Sequence, residues 1–179
     1  DDMVLASDWP WMCTMCQRCI YVCPMEIDIP QLIFNIRGMR PREERPRGIL
    51  GSCDMALKTE TNSAMGASVE DFEFVVEDVL EQYREEQPEF ETMQAPIDKV
   101  GAEFFINQNS REPVTEADEM VPLWKILHLA DVDWTYGSKG WAGENYCMFL
   151  ADNEGWEKVV RSQAAQTHKL KCKTYLNTE

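Results

Sequence analysis

The stretch "CTMCQRCIYVCP", residues 13–24, places four of the chain's seven cysteines within eleven residues. Cys13, Cys16, Cys19 and Cys23 follow the spacing C-x2-C-x2-C-x3-C-P. A disulfide framework fits this poorly. The cysteine count is odd, and cysteines two residues apart in a turn are poorly placed for ordinary disulfide geometry. A structural zinc site usually shows two separated pairs, often with histidine, and the two histidines, His128 and His168, lie far along the chain. Successive thiolates three residues apart wrap one side of a small cuboidal inorganic core. This is the bacterial-ferredoxin type of run for a [4Fe-4S] cluster. Thiolates suit it because they are soft, anionic donors that tolerate iron in more than one oxidation state. Pro24 fixes φ and removes an N–H beside the last ligand, which turns the chain away from the cluster.

In two-cluster ferredoxins the fourth cysteine of such a run ligates the other cluster. Cys13, Cys16 and Cys19 then share one cluster and need a further thiol, and Cys23 serves a second cluster. No second run exists in the 179 residues. Two completions stay open: Cys53 or another remote thiol closes a single cluster, or the missing run lies on chain outside this sequence. The second is favoured, because the approach "LASDWPWMC", residues 5–13, already reads as packed chain. The sequence opens on Asp1-Asp2 without methionine, so a processed chain or a piece of a longer one is expected. Trp9, Trp11 and Met12 read as apolar packing around the module, and as a dry shell that tunes a cluster's potential.

Aspartate and glutamate number 32 against 17 lysines and arginines, a formal net charge of −15. Such a surface repels phosphate backbones and anionic lipid heads, so no nucleic-acid partner is expected. Most of this charge reads as a solvated face. No stretch approaches the roughly 18–20 apolar residues of a membrane span, and no basic segment precedes an apolar one as in a secretory leader.

Beyond the run, Ile29, Leu32, Ile33 and Ile36 recur at helical spacing, with Asp28 as cap and Pro30 in the first turn. Gly38 and Pro41 end that helix, and residues 41–48 form a charged connection. The stretch 49–66 holds Cys53, read as a buried thiol or a spare ligand, and a polar turn in which Asn62 and Gly66 suit tight loop geometry. "SVEDFEFVVEDVLEQYREEQ", residues 68–87, starts with a serine cap and shows a stripe of Phe72, Val75, Val76, Val79, Leu80 and Tyr83. Residues 84–98 are polar and proline-spaced, a linker. "AEFFINQ", 102–108, reads as a short buried strand. A helix is expected from near Thr115, burying Leu123, Ile126, Leu127 and Ala130 with His128 beside that face. Residues 133–149 read as a non-periodic loop of glycines and aromatics, a favourable place for a site, which makes Cys147 more interesting than Cys172. A helix over 155–168, with Trp156, Val159 and Val160 inside, and a strand over 171–178 complete half of a layered α/β domain. No G-x-G-x-x-G or P-loop is present.

"WMCTMCQRCIYVCPMEIDIP", residues 11–30, resembles the second ferredoxin-type run in the iron–sulfur subunits of the heterodisulfide-reductase-like family. "TNSAMG", 61–66, resembles that family's polar turn after the cluster helices. "DKVGAEFFINQ", "WKILHLADVDWT" and "GWAGEN" resemble the opening of its cysteine-rich, CCG-type domain. The resemblance implies an α+β chain: a helical ferredoxin-like [4Fe-4S] module over 1–84, N-terminally incomplete, a linker over 85–98, and the first part of a CCG-type α/β domain over 99–179. It implies two [4Fe-4S] clusters in the ferredoxin-like part and a first cysteine run upstream of Asp1. A further cluster is implied in the CCG-type domain, with Cys147 matching the lone cysteine that opens the catalytic pattern.

The resemblance further implies an oxidoreductase subunit like the D subunit of heterodisulfide reductase, in anaerobic sulfur or sulfate metabolism. Its partners would be a haem-containing membrane subunit or other electron-transfer subunits, including a flavoprotein. Its place would be cytoplasmic, on the inner face of the membrane through those partners, with a thiol, disulfide or sulfur substrate. A non-catalytic ferredoxin-like carrier or docking adaptor is the alternative, and a zinc-stabilised interaction module a third.

Overall fold

Caps and prolines set where the helices begin. The computed structural model describes residues 8–178; Asp1, Asp2 and the first residues of the "LASDWPWMC" approach lie outside the described residues. By its internal contacts the chain divides into two units: the chain up to Cys53 with Asn145–Trp156, and Asp54–Glu144 with the chain from Glu157 onward. The 85–98 segment expected as a linker falls inside the second unit.

In the first unit a single 3-10 turn, Trp9–Met12, leads into the cysteine run, whose end holds the short helix α1, Arg18–Val22. Helix α2 is Ile29–Met39. Its Asp28 carboxylate accepts the Gln31 backbone N–H at 2.9 Å, satisfying a donor that no helical carbonyl reaches. Pro30 sits in the first turn, where its missing N–H costs nothing. Of the expected apolar face, Ile33 is buried, Ile29 and Ile36 are half-buried, and Leu32 is 51 % exposed. The interior instead takes Ile33 and, four residues on, Arg37, which stack on one face at that spacing. The charged connection is shorter than expected: after a turn at Arg42–Glu44, helix α3 already begins at Arg47 and runs to Lys58. Arg45 is buried and ties this corner together. It donates to the carbonyls of Gly38, Arg40, Leu150 and Ala151 at 2.9–3.2 Å.

In the second unit helix α4, Val69–Glu86, opens with a capping box. The Ser68 hydroxyl accepts the Asp71 N–H at 3.1 Å, and the Asp71 carboxylate accepts the Ser68 N–H at 2.9 Å. Both satisfy orphan donors of the first turn. Phe72, Val76, Val79 and Leu80 are buried as the stripe requires, with Val75 and Tyr83 packed at its margin. Phe72 stacks on Trp141 with centroids 4.2 Å apart and meets Tyr136 edge-on at 5.4 Å. Asn62 and Gly66 adopt positive φ, +61° and +79°. That left-handed conformation suits glycine and asparagine. The polar 84–98 segment is packed: Met93 is fully buried, and Arg84 Nε donates to its carbonyl at 2.8 Å.

Strand β1, Phe104–Ile106, lies at the centre of a three-stranded parallel sheet, flanked by β2, Trp134–Thr135, and β3, Thr174–Leu176. Phe104 pairs with Trp134 on one side and Thr174 on the other. Parallel strands need crossovers, and helices supply them. Between β1 and β2 a short helix, α5 (Arg111–Thr115), comes first, and the expected single helix from Thr115 is instead a 3-10 turn at Ala117–Met120 followed by α6 (Val121–Leu129). Pro122 explains the break, since proline starts a helix more readily than it continues one. The restart moves the buried face to Val121, Trp124 and Leu127. Leu123 is half-buried, and Ile126 and Ala130 are exposed. The expected loop 133–149 contains β2 at its start and a short helix, α7 (Tyr146–Phe149), at its end.

Helix α8, Asn153–Lys169, leads to β3. Val159 is inside, Trp156 is half-buried and Val160 is exposed. The chain is thus mixed helix and sheet, as expected at that level. No helix among the described residues is long and apolar enough to cross a membrane.

Candidate functional site

The cysteine run is a loop bent by left-handed residues. Met15, Gln17 and Glu26 have φ of +57°, +64° and +51°, uncommon for residues with a Cβ. These bends turn backbone N–H groups toward sulfur. Met15 N–H donates to Cys13 Sγ at 3.4 Å. The Cys16 thiol is held below its ordinary pKa, first by the Arg18 backbone N–H, then by the Thr14 side chain and the Arg18 charge. The Cys23 thiol is lowered by the backbone N–H groups of Ile27, Met25 and Glu26. Hydrogen bonds to the charged form favour it, so both cysteines lean toward the thiolate that binds metal.

Cys16 is exposed, and Cys13, Cys19 and Cys23 are half-buried and unpaired. Among the described residues no three or more His, Cys, Asp or Glu side chains gather as a metal cage. The run therefore supplies donors along one loop without a closed set. In donor chemistry it fits a thiolate-bound cluster: four free thiols, with N–H donors aimed at the sulfurs of Cys13, Cys16 and Cys23.

Arg37 anchors the start of this loop. It is 2 % exposed. Its Nη2 donates to the carbonyls of Cys13 (2.5 Å) and Pro10 (2.7 Å), Nε to Pro10 (3.0 Å) and Nη1 to Phe149 (3.1 Å). The guanidinium also lies 5.2 Å from the centroid of the Trp11 ring, within cation–π range. Trp11 therefore packs against a buried charge rather than against apolar core alone.

Cys53, expected as a buried thiol or a spare ligand, and Cys147, a candidate catalytic residue, are bonded to each other as a disulfide across 94 positions, with Cα atoms 5.0 Å apart. Both are buried. Arg42 Nη2 lies 3.6 Å and Asp152 Oδ2 3.8 Å from Cys53 Sγ. Arg42 and Asp152 pair with each other at 2.7 Å. Asp152 is lowered despite its burial, by the Gly155 N–H and by the charges of Arg42 and Arg45. A Cβ at Gly155 would stand 3.1 Å from Cys147 Sγ, so glycine is what lets the first turn of α8 lie against that sulfur. Sequence reasoning placed weight on each cysteine separately; neither spacing nor periodicity links positions so far apart.

A second polar group lies at the carboxyl ends of the strands, where ligands bind in open α/β sheets. Thr178 N–H donates to Asn107 Oδ1 at 2.8 Å, Tyr136 OH to Gln108 Oε1 at 2.6 Å, and the Ser110 hydroxyl to the Glu144 carboxylate. Asn62 Nδ2 and Trp141 Nε1 are buried without a hydrogen-bond partner. Burial pushes the Tyr136 hydroxyl above its ordinary pKa, so it acts as a neutral hydrogen-bonding bridge. Asn62 stood out in the sequence only as a turn residue, and the others did not stand out as a group, because single polar residues in a loop carry no period. His128 is half-buried on α6, 6.0 Å from the Phe90 ring, as a helix residue. Cys172 is half-buried, its thiol raised by burial and by Asp133. Comparison with known protein families, curated proteins and solved structures finds no match to this chain.

Proposed function

We propose that the chain is an iron–sulfur electron-transfer subunit of a heterodisulfide-reductase-like oxidoreductase complex. In this reading it relays electrons between a membrane or flavoprotein partner and a thiol, disulfide or sulfur substrate. The observation that carries it is the C-x2-C-x2-C-x3-C-P run, held as four free thiols in a loop whose backbone N–H groups point at sulfur. Cys13, Cys16, Cys19 and Cys23 are the ligands. When bound, a [4Fe-4S] cluster supplies one-electron storage.

The chain's own residues do the rest. Met15, Arg18 and Met25 to Ile27 donate N–H groups that offset negative charge on the thiolates. Arg37 fixes the Cys13 carbonyl and places a positive charge behind the loop. Met12, Tyr21, Val22 and Met25 are each about four-fifths exposed around the run, an apolar surface for a partner subunit. The ferredoxin-like module, the CCG-type domain and a peripheral cytoplasmic place at the membrane belong to this same reading.

Anaerobic reduction with a one-electron donor tests it. The proposal expects a paramagnetic resonance signal that is lost in Cys19→Ser. Bound zinc with no signal on reduction would overturn it and favour an interaction module.

A further inference from the structure

Five of the seven cysteines are free, and the buried pair stands apart from them. We infer that Cys53 and Cys147 form a reversible dithiol–disulfide couple, in which Cys53 leaves as a thiolate held by Arg42. A disulfide that serves only as a cross-link is neutral and gains nothing from charged neighbours. Here a guanidinium stands 3.6 Å and a carboxylate 3.8 Å from one sulfur, in a place where Cys53 itself is fully buried. Burying charge is costly unless it is matched. Arg42 and Asp152 match each other in the oxidised state. On reduction, Arg42 gains a thiolate to hydrogen-bond, a charge-assisted contact stronger than a neutral one. The Cys147 sulfur instead lies 3.9 Å from the Cys53 carbonyl and close to Gly155. The asymmetry makes Cys53 the better leaving group and Cys147 the sulfur that is attacked, since exchange runs faster when the departing thiolate is stabilised.

The reductant is a dithiol. One of its thiolates attacks Cys147 Sγ, the Cys53–Cys147 bond breaks, and its electron pair goes to Cys53 Sγ. The mixed disulfide on Cys147 is then resolved by the second thiol of the reductant. That step releases Cys147, which takes up a proton, and leaves the reductant as a cyclic disulfide. The couple transfers two electrons. Because both sulfurs are buried, exchange follows a local opening of α7, a helix of four residues. None of the run's cysteines takes part, so the inference stands or falls independently of the cluster.

The test equilibrates the full chain, without air, in mixtures of reduced and oxidised dithiothreitol. Acid quenching and differential alkylation then report each cysteine by mass spectrometry, with iron measured on the same sample and circular dichroism confirming the fold. Cys53 and Cys147 should convert together in one two-electron transition. Arg42→Met should move the equilibrium tenfold toward the disulfide, about 30 mV for such a couple, and Arg42→Lys should restore most of it. Asp152→Asn should move it the other way, because it removes a negative charge beside the thiolate.

Three results would overturn the inference. The first is a pair that stays oxidised in the folded chain even in the most reducing mixture, a permanent cross-link. The second is free alkylation of Cys53 and Cys147 in the most oxidising one. The third is an equilibrium that neither charge variant moves. Absence of iron with a normal transition would sink the cluster reading and leave this one standing.

Discussion

Arg37 shows how much a single side chain does in the first unit. Its guanidinium satisfies three backbone carbonyls from positions 10, 13 and 149. Burial lowers its pKa from the ordinary value, yet arginine stays charged across the accessible range. Arg37→Met keeps the apolar stem and removes the donors, leaving buried carbonyls unpaired. The expected cost is about 3 kcal/mol, read as a lower urea midpoint at unchanged slope. The thiols give a second residue-scale prediction. Cys16 and Cys23 are lowered by N–H donors, and Cys172 is raised by burial and Asp133. A lowered thiol forms thiolate at lower pH, and thiolate is what reacts. As pH rises, alkylation of the metal-free chain should therefore reach Cys16 and Cys23 before Cys172, followed site by site by mass spectrometry. The four-cysteine run was legible because its signal is local: spacing alone carries it. Arg37 was not, since an arginine on a helix flanked by isoleucines reads as the wet side until its carbonyl partners are seen.

Helix α4 was the most legible element, because eighteen residues with a regular stripe leave one solution for the buried face. Its cap makes a prediction: Ser68→Ala should cost about 1 kcal/mol in thermal or urea unfolding. Asp71 is lowered by its bonds from Ser68. A carboxylate whose folded pKa is depressed contributes stability above its unfolded pKa and loses it as pH falls through the folded value. The cap should therefore be fully present above about pH 4 and weaken below it, and in S68A that acid sensitivity should shrink. The region 111–129 was less legible. Its apolar residues fit one helix begun at Thr115, but Pro122 restarts the helix and shifts the buried face to Val121, Trp124 and Leu127. One proline outweighed a window of periodicity. The two-residue strand β2 left no alternation to read: its place is set by pairing with β1.

At the scale of the whole molecule, the second unit is built around Phe72, Tyr136, Trp124 and Trp141. Phe72 comes from a segment far from the other three in sequence, and Phe72→Ala should cost about 3–5 kcal/mol. The first unit joins the N-terminal helices to residues 145–156, and the disulfide closes a loop of 94 positions between them. In the oxidised chain, Cys53→Ala with Cys147→Ala should lower stability by about 2–5 kcal/mol through the lost constraint on the unfolded state. That discontinuity was not legible, because a sequence is read in order and nothing local at Asn145 announces a return. The iron–sulfur cluster proposed for the run at 13–24 is open to direct test. The direct measurement is iron, zinc and acid-labile sulfide quantified together on the chain purified without air, beside Cys16→Ser. Iron and sulfide are expected in near-equal amounts, with little zinc, and both should be lost in the variant. Zinc without sulfide, or iron unchanged by Cys16→Ser, would contradict it.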